Sequence, residues 1–265
     1  MSSPLFSLEE RTIVVTGGLG QLGQQYTRAI LDAGGRVACL DTHTPKSPPL
    51  SHDRLMYLKG DVTSRASLEA ALADIVKRWE IPYGLINNAA IDAPPNAPAS
   101  ENGPFETYPE SSWDQVMNVN VKGVMLASQV FGGAMAKAKR GSIVNISSIY
   151  GVVSPDQSLY QYRRNRGEIF FKPIAYSASK SALMNLTRYL ATYWAAEGVR
   201  VNSLVLAGVF NQQDKEFLAH YEKRIPIGRM ARADEYNGSV IYLLSDASSY
   251  MTGASMVVDG GWLAW

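Results

Sequence analysis

Short runs of β-branched and apolar residues alternate along this chain with longer segments in which apolar residues recur at helical spacing. The short runs predict seven strands, at residues 12–16, 36–40, 55–59, 83–87, 142–147, 200–206 and 255–258. The longer segments predict helices at residues 21–33, 64–79, 109–137, 174–197 and 232–244. Because strands that alternate with helices favour βαβ units, we expect an α/β fold: one domain over residues 1–265, with a doubly wound parallel sheet of seven strands and helices on both faces.

Two segments have no regular period, and both follow predicted strands. Residues 91–109 contain several prolines and are predicted to form a loop. Residues 151–173 are a polar and aromatic insertion between a strand and a helix. Loops that leave the carboxyl ends of parallel strands form ligand crevices, so both segments are candidate walls of a substrate site. Contact between subunits is the alternative.

Composition and charge narrow the class of protein. The 25 basic and 24 acidic residues give a net charge of +1 without a basic stripe, which excludes nucleic-acid binding. The apolar runs are far shorter than the roughly 20 residues of a membrane helix, and the N-terminus does not resemble a signal peptide. The single Cys39 cannot form an internal disulfide, so we expect a cytoplasmic protein. The three histidines lack metal-ligand spacing, and no metal is predicted.

A glycine-rich segment, TGGLGQLG at residues 16–23, follows the first predicted strand and opens the first predicted helix. In this context glycines permit a tight turn and let a pyrophosphate approach backbone N–H groups at the positive end of the helix. The segment therefore predicts a Rossmann fold in which Gly17, Gly20, Gln21, Leu22 and Gly23 bind a dinucleotide.

The choice between NAD and NADP depends on Asp41, which ends the second predicted strand. A carboxylate there accepts hydrogen bonds from the ribose hydroxyls of NAD and repels the ribose phosphate of NADP. No Lys or Arg lies within residues 17–23, so we predict NAD, while Lys46 leaves NADP open. Further residues at the ends of the third and fourth strands are predicted to line the same crevice and hold the adenosine: Asp61, Val62, Asn88 and Ala89.

Tyr176 and Lys180 are four residues apart at the start of a predicted helix, which places them on one face. A phenol with a pKa of about 10 is a poor base at neutral pH, and a nearby ammonium lowers that pKa. Ser148, at the end of a strand, is placed to hydrogen-bond the oxygen of an alcohol or carbonyl, and Asn120 is suited to anchor a water chain to the lysine. Singly, each residue is as readily explained by packing, a turn or a cap; together they predict a catalytic site.

In this order, the motifs resemble those of the classical short-chain dehydrogenases/reductases over essentially the whole chain. The resemblance also includes DV at 61–62, NNAA at 87–90, NVNVKG at 118–123, RVN at 200–202 and VVDGGW at 257–262. It implies a catalytic tetrad of Asn120, Ser148, Tyr176 and Lys180, with Tyr176 and Lys180 also at the cofactor and Lys180 on the nicotinamide ribose. It further implies a homotetramer or homodimer.

Three departures from the family pattern stand out. Gln21 occupies a position where most classical members have glycine, and the resulting spacing resembles the extended branch of epimerases and dehydratases. The segment LAGVFN at 206–211 replaces the usual Pro-Gly and following Thr, although Val209 is still expected to bring backbone groups to the nicotinamide carboxamide. The insertion at 151–173 is longer than the family norm.

The insertion supplies the candidate substrate residues. Its hydroxyl, amide and guanidinium groups suit a polyhydroxylated ligand, and Arg163, Arg164 and Arg166 suggest an anionic group such as a carboxylate or sulfonate. A solvated basic loop or an ion pair between subunits is the alternative. We predict that Gln157 and Arg163 contact the substrate, as do Ser148 and Tyr176. These loops resemble those of sugar and sugar-acid dehydrogenases of the gluconate 5-dehydrogenase type.

The sequence thus predicts an NAD(P)-dependent oxidoreductase that removes a hydride from a carbinol carbon of a small sugar or sugar acid and transfers it to nicotinamide C4. Two alternatives stay open. The spacing of Gly20 and Gly23 allows a sugar epimerase or dehydratase that retains its NAD, and a nucleotide-sensing protein without catalysis would use the same fold.

Overall fold

The computed structural model describes residues 4–45, 47–92 and 99–265. Seven strands, all parallel, form one sheet in the order β3-β2-β1-β4-β5-β6-β7. They are β1 (Thr12–Thr16), β2 (Arg36–Asp41), β3 (Leu55–Lys59), β4 (Gly84–Asn87), β5 (Gly141–Ser148), β6 (Val199–Leu206) and β7 (Ser255–Val258). The strand order reverses between β1 and β4, where α/β sheets form their ligand crevice. The predicted fold class is confirmed.

Helices cover both faces of this sheet. They are α1 (Gln21–Asp32), α2 (Arg65–Arg78), α3 (Glu110–Met117), α4 (Gly123–Ala127), α5 (Gly133–Lys137), α6 (Gln161–Asn165), α7 (Ile174–Trp194), α8 (Lys215–Tyr221) and α9 (Asn237–Leu244). The helix predicted at 109–137 is α3 to α5, joined by two π-helical turns at Asn118–Lys122 and Ser128–Gly132. No helix within the described ranges is both long and apolar enough to cross a membrane.

Successive residues of the central strands point to opposite faces and build two separate core layers. Val14 and Leu85 pack on one face, with Phe131 from the adjoining π-helical turn. Ile13 and Ile86 pack on the other face against α1 and α9. Each fully buried side chain of this size contributes about 1.5–3 kcal/mol. Because both faces are covered, β1 and β4 are buried throughout, which explains their continuous apolar runs.

The structure differs from the predicted elements mainly around the insertion. Residues 151–173 are not a plain loop, because they contain a 3-10 turn at Gln157–Tyr160 and then α6. A third cluster, largely aromatic, packs this insertion against α8, with Tyr160 and Tyr221 buried at its centre. The helix predicted at 232–244 begins only at Asn237, since a turn precedes it. Both α6 and α8 are short and depend on these tertiary contacts. For this reason the sequence shows no helical period that would predict them.

Candidate active site

The glycine segment between β1 and α1 is packed so tightly that side chains do not fit. Gly17 has a φ of 61°, and a Cβ on it would lie 2.8 Å from the Cα of Ala89. A Cβ on Gly23 would lie 2.3 Å from the carbonyl oxygen of Gly17. Gly20 immediately precedes α1, so the free N–H groups of the first helical turn face the end of the sheet. This is the geometry that a pyrophosphate requires.

Hydrogen bonds from the end of β4 fix this segment from behind. The Asn88 amide donates to the carbonyl oxygens of Thr16 and Gly17, at 3.1 and 3.0 Å. The Thr16 hydroxyl accepts from the backbone N–H groups of Asn88 and Ala89. Sequence reasoning placed Asn88 and Ala89 at the cofactor but did not identify Asn88 as a brace of the glycine segment. Thr16, which it did not single out, completes the brace.

Asp41 and the other predicted adenosine residues line one cavity of about 520 Å³ beside the glycine segment. One carboxylate oxygen of Asp41 accepts from the backbone N–H of Leu19 at 3.1 Å. Asp61 accepts from the backbone and hydroxyl of Thr63, so one of its oxygens is used locally. Val62 lies in the same wall. Lys46, which left NADP open, lies outside the described residues.

Ser148, Tyr176 and Lys180 converge at the end of β5 and the start of α7. They line a second cavity, of about 600 Å³, which we call the catalytic cavity because the predicted catalytic residues line it. The Nζ of Lys180 lies 5.6 Å from the centre of the Tyr176 ring and donates to the carbonyl oxygen of Ile146 at 2.8 Å. Lys180 is 3% exposed and Ser148 8%, so the ammonium is held in place inside the protein.

Asn120 lies in the first π-helical turn, buried between two elements of the site. Its oxygen accepts from the N–H of Ile91, and its amide donates to the carbonyl of Ile91 and to the hydroxyl of Ser179, at 2.9, 2.8 and 3.0 Å. The Ser179 hydroxyl in turn donates to the carbonyl of Tyr176. Asn120 therefore joins the loop after β4 to the catalytic turn of α7. Its predicted water chain to Lys180 stays a prediction.

Burial is the main cause of the pKa shifts of Tyr176 and Lys180. Desolvation, and then the carboxylate of Asp92, raise the pKa of Tyr176 well above its ordinary value, while a hydrogen bond with Ser148 acts in the opposite direction. Desolvation lowers the pKa of Lys180 to about 8, with Asp92 opposing. The net direction for Tyr176 is opposite to the lowering predicted from Lys180. At neutral pH the phenol keeps its proton and the lysine keeps most of its charge.

The two cavities form one crevice along the ends of the strands. Gln21, Leu22 and Asn88 line both of them. The Gln21 amide donates to the carbonyl of Phe210 at 2.8 Å, which ties the glycine segment to the loop after β6. Val209, in that loop, lines the catalytic cavity, and its predicted contact with the nicotinamide carboxamide stays a prediction. The crevice thus runs from Asp41 to Tyr176, and its residues fit a dinucleotide.

A third cavity, of about 390 Å³, adjoins the catalytic one on the side of the insertion. We call it the aromatic cavity, because six aromatic side chains line it: Tyr150, Tyr160, Tyr162, Phe170, Phe217 and Tyr221. Arg163 also lines it, stacked 4.0 Å from the centre of the Phe170 ring and paired with Glu168 at 2.6 Å. The wall is therefore mixed: beside the rings and the guanidinium it contains the polar side chains of Asp92, Lys172, Gln213 and Asp214.

The other candidate substrate groups of the insertion make contacts within the chain. Arg164 donates to the backbone carbonyls of Gln157 and Phe170, and Arg166 pairs with Glu216 at 2.5 Å. The Gln157 amide accepts from the N–H of Lys172 and donates to its carbonyl. Of the predicted substrate residues, Ser148, Tyr176 and Arg163 reach the crevice, whereas Gln157 lines none of these cavities and braces the insertion.

Sequence reasoning counted Lys172 among the polar groups of the insertion and Asp92 among those of the loop after β4, but it did not connect them. They form an ion pair where the catalytic and aromatic cavities meet. Eighty residues separate them along the chain, so no spacing pattern links them. Among the residues that the structure describes, no group of three or more His, Cys, Asp or Glu side chains could hold a metal ion.

Comparison with known proteins identifies the family. A family model described as enoyl-(acyl carrier protein) reductase matches residues 20–263. The chain is 32% identical to the short chain dehydrogenases/reductase notP' of Aspergillus versicolor, covering 99% of this chain and 90% of that protein. The chain belongs to the short-chain dehydrogenase/reductase family. Within this family it is also 30% identical to the 2-dehydro-3-deoxy-D-gluconate 5-dehydrogenase of Bacillus subtilis, with 98% of this chain and 97% of that protein covered.

Solved structures of short-chain dehydrogenases/reductases superpose on the whole chain. One from Leptospira borgpetersenii with bound NAD+ has a TM-score of 0.86 at 30% identity and covers 99% of this chain and 96% of that one. A gluconate 5-dehydrogenase from Burkholderia cenocepacia in complex with NADP and tartrate has a TM-score of 0.85 at 25% identity, with 99% and 98% covered. The predicted family, and its resemblance to sugar-acid dehydrogenases, are confirmed.

Proposed function

We propose that this protein is an NAD-dependent dehydrogenase that oxidises a hydroxyl group of a sugar, sugar alcohol or sugar acid. The observation that carries the proposal is the convergence of Ser148, Tyr176 and Lys180 in a cavity continuous with a dinucleotide-shaped crevice. Relatives named as dehydrogenases of deoxygluconate and galactitol support the substrate class.

The residues of the crevice fit a nicotinamide dinucleotide. Because Gly17 and Gly23 have no side chains, the backbone of the glycine segment can approach a phosphate closely. The positive end of α1 favours the negative charge of that phosphate. Asp41 has one carboxylate oxygen without a strong local partner and is placed for ribose hydroxyls, which favours NAD over NADP. When bound, the nicotinamide supplies the hydride acceptor.

Side chains of the protein bind the substrate oxygen and accept its proton. Ser148 holds the oxygen of the alcohol by a hydrogen bond. Because the Tyr176 phenol is protonated at neutral pH, it first loses its own proton to solvent in the cavity, and as phenolate it then takes the proton of the alcohol. Lys180 supplies a positive charge whose position is fixed by the Ile146 carbonyl, so it stabilises the phenolate as the tyrosine proton leaves. Asn120 holds the catalytic turn of α7 against the loop after β4.

The aromatic cavity and the arginines that are bonded within the chain affect which class of substrate fits. Aromatic rings present flat apolar faces to the C–H faces of a sugar, and the cavity at Phe170 and Phe217 is large enough for more than the reacting carbons. Arg164 and Arg166 are used within the chain, and Arg163 is already paired with Glu168. A neutral sugar or sugar alcohol is therefore favoured over a strongly anionic substrate.

We also propose a homotetramer or homodimer in the cytoplasm. Tyr189 and Tyr193 of α7 stack on each other 5.9 Å apart and are 61% and 65% exposed, which suits burial by a second copy. Cys39 is a buried free thiol, as a reducing compartment permits. Light scattering on the purified protein tests the first proposal, and cell fractionation tests the second.

NADH formation with a panel of sugars, sugar alcohols and sugar acids tests the enzyme proposal, with NADP in parallel. We expect turnover with NAD, and a loss of at least a thousandfold in Tyr176→Phe without loss of NAD binding. Tyr250→Phe, at a fully exposed tyrosine outside the crevice, is the matched control and should retain activity.

Other outcomes identify the alternatives. Conversion of a sugar without net NADH formation indicates an epimerase or dehydratase. NADH consumption with an enoyl thioester indicates the reaction in the family model's description. Nucleotide binding without any turnover, together with full cellular function of Tyr176→Phe, indicates a nucleotide sensor.

A further inference from the structure

An ion pair crosses the crevice beside the catalytic residues. Lys172 ends the insertion just before α7, and Asp92 lies in the loop after β4. Both side chains line the catalytic cavity and the aromatic cavity, so the pair stands where a substrate would pass from one to the other. Neither residue has a role in the mechanism proposed above.

The backbone around Lys172 is fixed on two sides. The Gln157 side chain accepts from the N–H of Lys172 at 2.9 Å and donates to its carbonyl at 3.2 Å. The next residue back, Phe171, donates its N–H to the carbonyl of Asn102 at 2.6 Å. The Lys172 side chain is only 14% exposed. Its ammonium is thus held at a defined place rather than on a mobile surface chain.

That place is next to the reacting groups. The Nζ of Lys172 lies 5.4 Å from the centre of the Tyr176 ring, a distance similar to that of Lys180 from the same ring. The Lys180 ammonium, however, donates to the Ile146 carbonyl, whereas Lys172 lines the open cavity with Asp92. The carboxylate of Asp92 is close enough to raise the pKa of Tyr176 and Tyr160.

We propose that Asp92 and Lys172 form a substrate subsite that binds a second hydroxyl, on the carbon next to the one that is oxidised. A hydroxyl both donates and accepts, so it can donate to the Asp92 carboxylate and accept from the Lys172 ammonium at once. Ser148 and Tyr176 meanwhile hold the reacting oxygen. The subsite selects vicinal diols, as in sugars and sugar alcohols, over simple alcohols, and it rests on the function proposed above.

A purely structural role predicts a different outcome. An ion pair in which Asp92 is half-exposed contributes little to stability. A site built to bind a substrate hydroxyl instead discriminates strongly against the analogue without it, because its polar groups are then left unpaired. Substrate selectivity therefore distinguishes the two roles better than stability does.

The test compares one sugar alcohol that the wild-type protein oxidises with its analogue lacking the neighbouring hydroxyl. We expect wild type to prefer the diol by at least a hundredfold in kcat/KM. Lys172→Met and Asp92→Asn should each lower kcat/KM for the diol at least tenfold, and that for the deoxy analogue less than threefold. Lys223→Met, an exposed lysine outside the crevice, should leave both values unchanged.

The deoxy analogue also separates recognition from an indirect effect on catalysis. If Lys172 acted only by tuning Tyr176, its replacement would slow both substrates equally, and the inference would be overturned. Equal turnover of the two substrates by wild type would overturn it as well. No NADH formation by wild type with any sugar or alcohol would refute the proposed function, and this inference with it.

Discussion

The tightest packing in the cofactor crevice gives a prediction with a calculable size. In Gly23→Ala the new methyl would lie 2.3 Å from the Gly17 oxygen, 2.7 Å from the Gly18 Cα and 2.9 Å from the Gly18 carbonyl carbon. Ordinary contacts begin at 3.4 Å. All three neighbours are backbone atoms, so the glycine segment must move by about 1 Å, because no side chain can rotate away.

Overpacking of this kind costs about 1–3 kcal/mol, of which the better helix propensity of alanine returns up to about 1 kcal/mol. The net cost of about 0–3 kcal/mol corresponds, for a domain of this size, to a fall in Tm of up to about 12 °C. NAD affinity should fall at least tenfold, since the N–H groups of the segment leave the positions that a pyrophosphate needs. Thermal melting and calorimetric titration with NAD measure the two effects.

Gly133→Ala is the matched control. Gly133 has helical backbone angles at the start of α5, and a Cβ there meets nothing within 4 Å. This variant should bind NAD like wild type and melt at the same or a slightly higher temperature. A Gly23→Ala protein that also melts and binds NAD like wild type would refute the assignment of the glycine segment as the pyrophosphate site.

Three further predictions concern charge and buried polarity. Asp41→Asn keeps an acceptor for the Leu19 N–H but removes the charge, so the ratio of NADP to NAD activity should rise about 10- to 100-fold; an unchanged ratio in steady-state kinetics would contradict the cofactor assignment. Burial lowers the pKa of Lys180 to about 8, so between pH 8 and about 10.5 the unfolded chain binds more protons than the folded one, and stability relative to Lys180→Met should rise with pH across that window in chemical denaturation. A flat difference would refute this. Thr187→Val breaks a buried chain of hydrogen bonds with Asn145 and should lower stability by about 1–3 kcal/mol, whereas Thr192→Val, exposed on the same helix, should change it by less than about 0.5 kcal/mol in the same assay.

The nucleotide half of the crevice could be predicted because its signals are local. The glycine segment, Asp41 and the ends of β1 and β4 are each encoded by a few neighbouring residues, and the parallel sheet brings them to one edge. Tyr176 and Lys180 share a helix face for the same reason. Even here the brace by Asn88 escaped prediction, because its amide bonds to backbone groups about 70 residues away.

The substrate half could not be predicted, because it depends on contacts distant in sequence. The sequence of the insertion is polar and aromatic, and it does not show that Tyr160 and Phe170 turn inward against α8. Gln157 has the chemistry of a ligand contact, but both ends of its amide are used by the Lys172 backbone. The sign of the Tyr176 pKa shift likewise depends on burial, and the four-residue spacing of Tyr176 and Lys180 carries no information about burial.

The π-helical turn at Asn118–Lys122 is a place where this fold is sensitive to a change in chain length. A π turn holds one more residue than the α turn it replaces, so the faces of α3 and α4 are offset by about 100° relative to an unbroken helix. Removal of one residue there would restore regular hydrogen bonding but rotate either Asn120 away from Ile91 or α4 away from the core. A regular helix would have the better local hydrogen bonding, so local folding favours loss of the extra residue. The proposed site needs that residue, because it keeps Asn120 next to Ile91.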